Sequence, residues 1–399
     1  MGVLPMADEQ GSDACGRTPA AGSAYGALHA AVVVVPLLAF LAIVLALTLT
    51  GTHGGTLQSE NRTARPWPSI GGPWAGTIDT RNFFLRLEAA FADRLALRDV
   101  LVRMHHELAV RLFGVSPTDV VVIGRDGSLF YAADDIIQTR RKPRRGPAEA
   151  AAVARRTADG IARRWSFLRE RGIRYVLLIA PDRASVYRDQ LPAQLARGPA
   201  HLDLVLEALP AEVRPDVIDL RRELLRQRAV EEVYYRTDTH WNVAGARVAL
   251  RKLVRTLGEP PEAEPAFPDF PKVGDTCGLG RAIGLPSLFP EACYHDAASY
   301  PFEQHRDCSF AVLARDAGGR LQRIAAKCRG GTQRALVLRD SFLVPLVGVV
   351  AELFAETTIV GGVSLDASAL AASPPDIVVQ EIVERSLPML GDTSFLKED

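Results

Sequence analysis

Two stretches of this 399-residue chain carry side chains that could do covalent chemistry. The first is Tyr234-Tyr235-Arg236-Thr237-Asp238-Thr239-His240-Trp241-Asn242, which sets a carboxylate and an imidazole two positions apart. In an extended segment, residues i and i+2 point to the same side, so Asp238 and His240 are expected to face one pocket. A general base needs an orienting carboxylate on one ring nitrogen and a nucleophile on the other. The second stretch, Ala335-Leu336-Val337-Leu338-Arg339-Asp340-Ser341-Phe342, offers that nucleophile. Its apolar half reads as a short buried strand. The helical spacing of Phe342, Leu343, Leu346, Val349, Val350 and Leu353 puts Ser341 on a strand-to-helix turn, near helix N–H groups. Each stretch alone has a plainer reading. Ser341 or Asp340 is then an ordinary N-cap, and Asp238 and His240 are a surface turn capped by Asn242. Gly-x-Ser-x-Gly is absent, so the turn is not the α/β-hydrolase elbow. Taken together, the stretches fit a Ser341–His240–Asp238 triad.

The elements that must hold these groups alternate between strand and helix. Glu149 to about Arg171 reads as a helix stopped by Gly172. Tyr175–Ala180 is a continuous apolar run suited to a strand buried on both faces of a parallel sheet. Leu202–Leu209 and Val217–Leu220 repeat the helix–strand alternation, and 358–360 and 377–382 read as further buried strands. The pattern predicts a doubly wound α/β domain, with ligands at the carboxyl ends of its strands. Arg183 follows one such end. It is a candidate contact for an acyl or sugar group, or an ordinary loop arginine. Before these, Phe84, Leu87, Phe91, Leu101, Met104, Leu108 and Leu112 fall near helical spacing and read as a core-facing stripe. Val120–Ile123 and Leu129–Tyr131 read as a hairpin, with Gly127 at a positive-φ turn position. The run Arg140-Arg141-Lys142-Pro143-Arg144-Arg145 reads as a solvated loop, or as a contact for an anionic glycan.

Composition sets the frame. Formal net charge is zero, so no overall field draws the chain to nucleic acid. Residues 1–26 are Gly-, Ala- and Ser-rich and expected to be a disordered leader. Residues 27–50 hold no Asp, Glu, Lys or Arg, and about 20 apolar residues cross a bilayer as a helix. The long polar leader and the missing basic n-region favour a retained anchor over a cleaved signal peptide. The flanking charges, Asp8, Glu9, Asp13 and Arg17 before and Glu60, Arg62 and Arg65 after, would put the large domain in the cytoplasm. The cysteines argue the reverse. Cys277, Cys293, Cys308 and Cys328 sit in one later segment and fit two disulfides in an oxidising compartment, with three possible pairings. A zinc site is the weaker reading, since no Cys-x-x-Cys spacing occurs. Residues 51–80, with their Gly and Pro clusters, read as a linker. The proline-rich stretch about 259–333, which contains the four cysteines, reads as an irregular insertion near the active site.

The Asp238-Thr239-His240-Trp241 and Asp340-Ser341-Phe342 stretches resemble those of the alginate O-acetyltransferase AlgJ/AlgX type, which has an SGNH hydrolase-like domain. Val121 through Tyr131, and Ile179-Ala180-Pro181-Asp182-Arg183 with Tyr187, agree in order. The resemblance runs from about Asn82 to Arg385, and Arg98 and Glu384-Arg385 also resemble family positions. Ser128 stands where the family usually has Trp, and Arg339 where a Gly is often found. The resemblance implies a three-layer α/β/α, mostly parallel SGNH-like domain over 81–399, preceded by one transmembrane helix. It also implies that Asp238, His240 and Ser341 move acetyl groups onto polysaccharide hydroxyls, without cofactor or metal. The domain would stand on the periplasmic side of the inner membrane and receive acetyl groups from a multi-pass membrane acyltransferase. A carbohydrate acetylesterase with the same triad, or a non-catalytic glycan-binding or assembly protein, are the alternatives; Arg339 favours the last.

Overall fold

The computed structural model describes residues 21–50, 56–57, 62–68, 80–96, 98–141, 146–196, 200–270, 276–293, 300–317, 319–366, 370, 374–391 and 396–397. The chain divides into two units. One comprises residues 1–57 and 62–101, the other residues 58–61 and 102–399.

In the first unit, Ala21–Thr50 is a single 30-residue helix that contains Pro36 and so begins inside the segment expected to be leader. Among the described residues no helix is long and apolar enough to cross a membrane. In this helix the described side chains are those of residue 32 and residues 34–48. Many of them are large, apolar and exposed, including Val35, Leu38 and Ile43. Thr48 Oγ1 accepts the Ala96 N–H at 3.0 Å, and Asp93 accepts the Arg65 N–H at 2.9 Å. Part of the expected linker is a small antiparallel pair, Thr56–Leu57 against Arg62–Thr63. The basic run after Arg140 lies largely outside the described residues.

The second unit is built on a seven-stranded sheet. Its strands are β1 (Arg174–Ala180), β2 (Val217–Asp219), β3 (Cys308–Arg315), β4 (Leu321–Cys328), β5 (Arg334–Arg339), β6 (Glu356–Gly361) and β7 (Ile377–Val383). The spatial order is β2-β1-β7-β5-β6-β4-β3. The first five in that order pair in parallel, and β4 and β3 add to the edge antiparallel. Alternation along the strands decides which face each side chain serves. Val176, Leu178, Val337 and Val379 join one core with Leu250, Leu253 and Val350 of the helices Val243–Leu257 and Val347–Ala351. Leu177, Ile179, Val378 and Ile382 join a second core with Ala158, Ile161 and Leu168 of the helix Pro147–Arg169 and Val205 of the helix His201–Ala208. Helices therefore cover both faces, which is why Tyr175–Ala180 of β1 reads as an unbroken apolar run, while β7 also buries Gln380 and Glu381.

Two expectations need correction. Phe84, Leu101, Met104, Leu108 and Leu112 are exposed, not core-facing. A helical apolar stripe has one periodicity whatever it faces, so spacing could not decide this. The opposite side of the helix Arg98–Phe113 buries His106, whose Nδ1 lies 3.0 Å from the Ile283 carbonyl oxygen. Second, the segment 259–333 is not irregular throughout, because its last third forms β3 and β4 and widens the sheet. The prolines that suggested irregularity all precede those strands. The cysteines pair as Cys277–Cys293 and Cys308–Cys328; the second bond joins facing residues of β3 and β4.

Candidate active site

Ser341 lies just past the carboxyl end of β5, on a turn held by its neighbour. Asp340 accepts the Phe342 N–H through Oδ1 at 2.8 Å and the Val383 N–H through Oδ2 at 2.7 Å. The Asp340 N–H in turn donates to Glu381 Oε2 at 3.0 Å. Asp340 is thus the turn's organiser, which leaves the Ser341 hydroxyl exposed while Phe342 is fully buried behind it. The long helix expected after Ser341 is broken: a 3₁₀ turn at Val344–Leu346 precedes the short helix Val347–Ala351. Pro345 lacks the N–H that a continuous helix would use.

Asp238 and His240 come to the same place by a different route. Their segment is a tight turn rather than extended chain, closed by the Tyr234–Trp241 bridge and the Tyr235 N–H to the His240 carbonyl. Asp238 Oδ1 accepts the His240 N–H at 3.0 Å, an Asx-type bond two residues on. That bond swings the carboxylate onto the imidazole, and Asp238 Oδ1 lies 2.6 Å from His240 Nδ1. On the other side, His240 Nε2 lies 2.8 Å from Ser341 Oγ. Asn242 caps the following helix by accepting the Gly245 N–H at 3.1 Å. These three side chains line a cleft of about 700 Å³, whose other walls include Gly278, Arg281, Asp316, Arg320, Gln322 and Met389. The Cys-containing segment therefore supplies one wall of the cleft.

Arg183 is not part of that lining. It is 1% exposed, donating to the Tyr235 carbonyl at 2.9 Å, the Leu129 carbonyl at 3.2 Å and Gln190 Oε1 at 3.2 Å. Its guanidinium also covers the Phe130 and Tyr187 rings. It ties the hairpin Val121–Tyr131 to the Asp238 turn, and burial pulls its pKa down to about 10. Ser128, standing where the resemblance leads one to expect Trp, hydrogen-bonds Gln190 in the same knot. Arg339 is also buried, its guanidinium given to the Asp340 and Leu321 carbonyls.

Sequence reasoning did not assign a supporting role to several residues, and Gly278 and Glu291 escaped it altogether. Gly278 donates its N–H to Asp238 Oδ2 at 2.6 Å. Glu291 accepts the Arg236 and Thr237 N–H groups at 2.8 and 2.6 Å. Arg385 reaches Asp182 at 2.6 Å, Thr239 Oγ1 at 3.2 Å and Asp134 at 3.5 Å, and faces the Phe342 ring. Burial pushes the Asp134 and Asp182 carboxyls up, against the pull of Arg385. Burial works against the Arg385 charge, but Asp182 and Asp134 outweigh it and hold it firmly protonated. Burial and then Asp182 raise Glu384 to about 8; burial and then Asp340 raise Glu381 well above the carboxylate range. The usable sequence signal was the resemblance of Asp182 and of Glu384-Arg385 to family positions.

Residues 121–270 match a family model described as the SGNH hydrolase-like domain of acetyltransferase AlgX. Over those residues the chain is similar to the AlgX domain. The match spans the hairpin, β1, β2 and the Asp238–His240 turn; Ser341 lies beyond it. No curated protein matches the chain. Among solved structures, the O-acetyltransferase domain of Pseudomonas putida AlgJ is similar at 22% identity, with 69% of this chain and 94% of that one covered and a TM-score of 0.44. Bacillus cereus PatB1, with a sulfonyl adduct, is similar at 18% identity, covering 62% and 94%, with a TM-score of 0.44. Pseudomonas aeruginosa AlgX is similar at 20% identity, covering 68% and 66%, with a TM-score of 0.35.

Proposed function

We propose that the chain is a membrane-anchored, extracytoplasmic O-acetyltransferase that acetylates polysaccharide hydroxyls through an acetyl-Ser341 intermediate. The observation that carries this is the continuous line from Asp238 Oδ1 to His240 Nδ1 at 2.6 Å and from His240 Nε2 to Ser341 Oγ at 2.8 Å. The family match supports acetyl transfer as the chemistry. His240 removes the Ser341 proton as Oγ attacks an acetyl carbonyl, and passes that proton to the departing donor oxygen. The acetyl group remains on Ser341. His240 then takes the proton of a sugar hydroxyl, the sugar oxygen attacks the acetyl carbon, and Ser341 regains the proton. The Ser341 N–H is the expected oxyanion donor; loss of one such donor costs about 2.7–4 kcal/mol. The two disulfides support a domain in an oxidising compartment outside the cytoplasm, and the uncharged 27–50 segment supports an anchor; a multi-pass membrane acyltransferase would supply the acetyl groups.

The test incubates wild type and Ser341→Ala with an activated acetyl ester, with and without oligosaccharide acceptors. Acetate and acetylated sugar are followed separately. Sugar acetylation that vanishes in Ser341→Ala supports the proposal. Ser341-dependent acetate release without transfer makes the protein an esterase. A folded protein lacking any Ser341-dependent turnover across a panel of esters and acceptors refutes the enzyme and leaves glycan binding or assembly.

A further inference from the structure

The loop closed by the Cys277–Cys293 disulfide grips the Asp238 turn with both of its ends. From the first end, Gly278 donates its N–H to Asp238 Oδ2 at 2.6 Å, and Leu279 and Gly280 donate theirs to the Thr237 carbonyl at 3.1 and 3.3 Å. From the second end, the Glu291 carboxylate takes the Arg236 N–H at 2.8 Å and both the N–H and the hydroxyl of Thr237 at 2.6 Å. Thr237, fully buried, is thereby held at its amide, its carbonyl and its side chain. Both disulfide sulfurs are buried in a small cluster with Tyr235, on the same turn. The fit at Gly278 is close: a Cβ built there would meet Asp238 Oδ2 at 2.7 Å.

We propose that the Cys277–Cys293 loop is a positioning clamp for Asp238, with Gly278 and Glu291 as its positioning residues and the disulfide as its fastener. The clamp rests on the triad reading of the site. Its physical need is plain. Asp238 must present Oδ1 to a ring two residues away, and the turn that carries it has no strand or helix of its own. A carboxylate free to rotate would drop the imidazole, and misplacement by about 1 Å can cost 10²-fold in rate. Opening the disulfide separates the Gly278 end from the Glu291 end and lets the turn relax. The enzyme would then depend on an oxidising compartment for its geometry as well as for its fold.

The experiment uses the full chain with two changes, Cys277→Ser/Cys293→Ser and Glu291→Gln. The second keeps side-chain shape and weakens the grip, so it decides the matter if the first fails to fold. Cys308→Ser/Cys328→Ser, which opens the other disulfide, is the control. Two readouts are taken: the downfield proton resonance of the His240–Asp238 hydrogen bond, assigned by its absence in Asp238→Asn, and the rate of Ser341 acetylation by an activated ester. The clamp predicts that both loop variants fold, lose or shift the resonance, and acetylate Ser341 about 30- to 100-fold more slowly. The control should stay within about threefold of wild type, far below that effect. Retention of resonance and rate within about twofold in a folded Glu291→Gln overturns the clamp, because that loss is much smaller than misplacement costs. A wild type that shows the resonance, loses it in the loop variants, and is never acetylated at Ser341 would sustain the clamp and sink the transferase reading.

Discussion

Replacing Asp238 with Asn is the sharpest test of the site, because the geometry leaves the amide no good orientation. Asp238 accepts at both oxygens: Oδ1 from the His240 ring and backbone, and Oδ2 from the Gly278 N–H at 2.6 Å. If the Asn amide oxygen faces the ring, its NH₂ points at the Gly278 N–H, donor against donor. If the NH₂ faces the ring, Nδ1 must accept, Nε2 carries the proton, and His240 cannot take one from Ser341. The charge is lost in either case. An imidazolium and a carboxylate about 4 Å apart attract by about 4 kcal/mol at an effective dielectric near 20. At about 1.4 kcal/mol per tenfold, that removes roughly 10³-fold from the rate. Tautomer misplacement brings the total toward about 10⁴, the size of loss such a change causes in a serine protease triad. The assay is stopped-flow acetylation of the full chain by an activated acetyl ester, with intact mass confirming one acetyl group on Ser341 in the wild type. Circular dichroism checks that the variant folds. An Asp238→Asn variant that keeps more than about a tenth of the wild-type rate would refute the reasoning, since neither loss could then be real.

Three further outcomes follow from packing and charge. Gly160→Ala should lower the denaturation midpoint by an amount equivalent to about 1–3 kcal/mol, because its Cβ would stand 1.8 Å from the Leu390 carbonyl oxygen; an unchanged midpoint would contradict the close helix contact. Arg385→Met leaves Asp134 and Asp182 buried without their cation, and urea unfolding should show a loss of about 3–5 kcal/mol. No loss there would mean that the carboxyls are neutral with or without Arg385. Glu384 is raised to about 8 from an ordinary 4.5, so the folded state keeps a proton that the unfolded chain releases. The stability from this group is complete below about pH 4.5 and is lost as pH climbs through about 8. Glu384→Gln should flatten the fall in stability across that window, measured by denaturation at a series of pH values; an identical slope would remove Glu384 as its source.

Local pattern was enough for the framework and for the candidate reacting groups. Continuous apolar runs announced β1 and β5, because strands covered on both faces have no polar side to show. Asp238, His240 and Ser341 were legible because each sits on a turn leading into a helix or helical turn, where composition is distinctive. The route by which Asp238 meets His240 was not legible: i,i+2 spacing suggested extended chain, whereas the structure uses an Asx-type bond within a turn. Arg183 shows the limit from the other side. A strand end marks where ligands bind, but only packing revealed that this side chain turns inward to staple the hairpin to the Asp238 turn. The exposed Leu101–Leu112 stripe makes the same point, since periodicity reports that a helix has an apolar face and not what covers it.

Sequence by itself determined the alternating α/β order, the residue types of the candidate triad and the supply of cysteines, because these depend on residue types and short spacings. Only the tertiary structure decided which cysteines pair, that Glu291 and Gly278 grip the Asp238 turn, and that Arg385 joins Asp134, Asp182 and Thr239. Those contacts join residues far apart in the chain, and a long-range hydrogen bond leaves no periodic trace. It exists only once the sheet has brought both partners to the same edge.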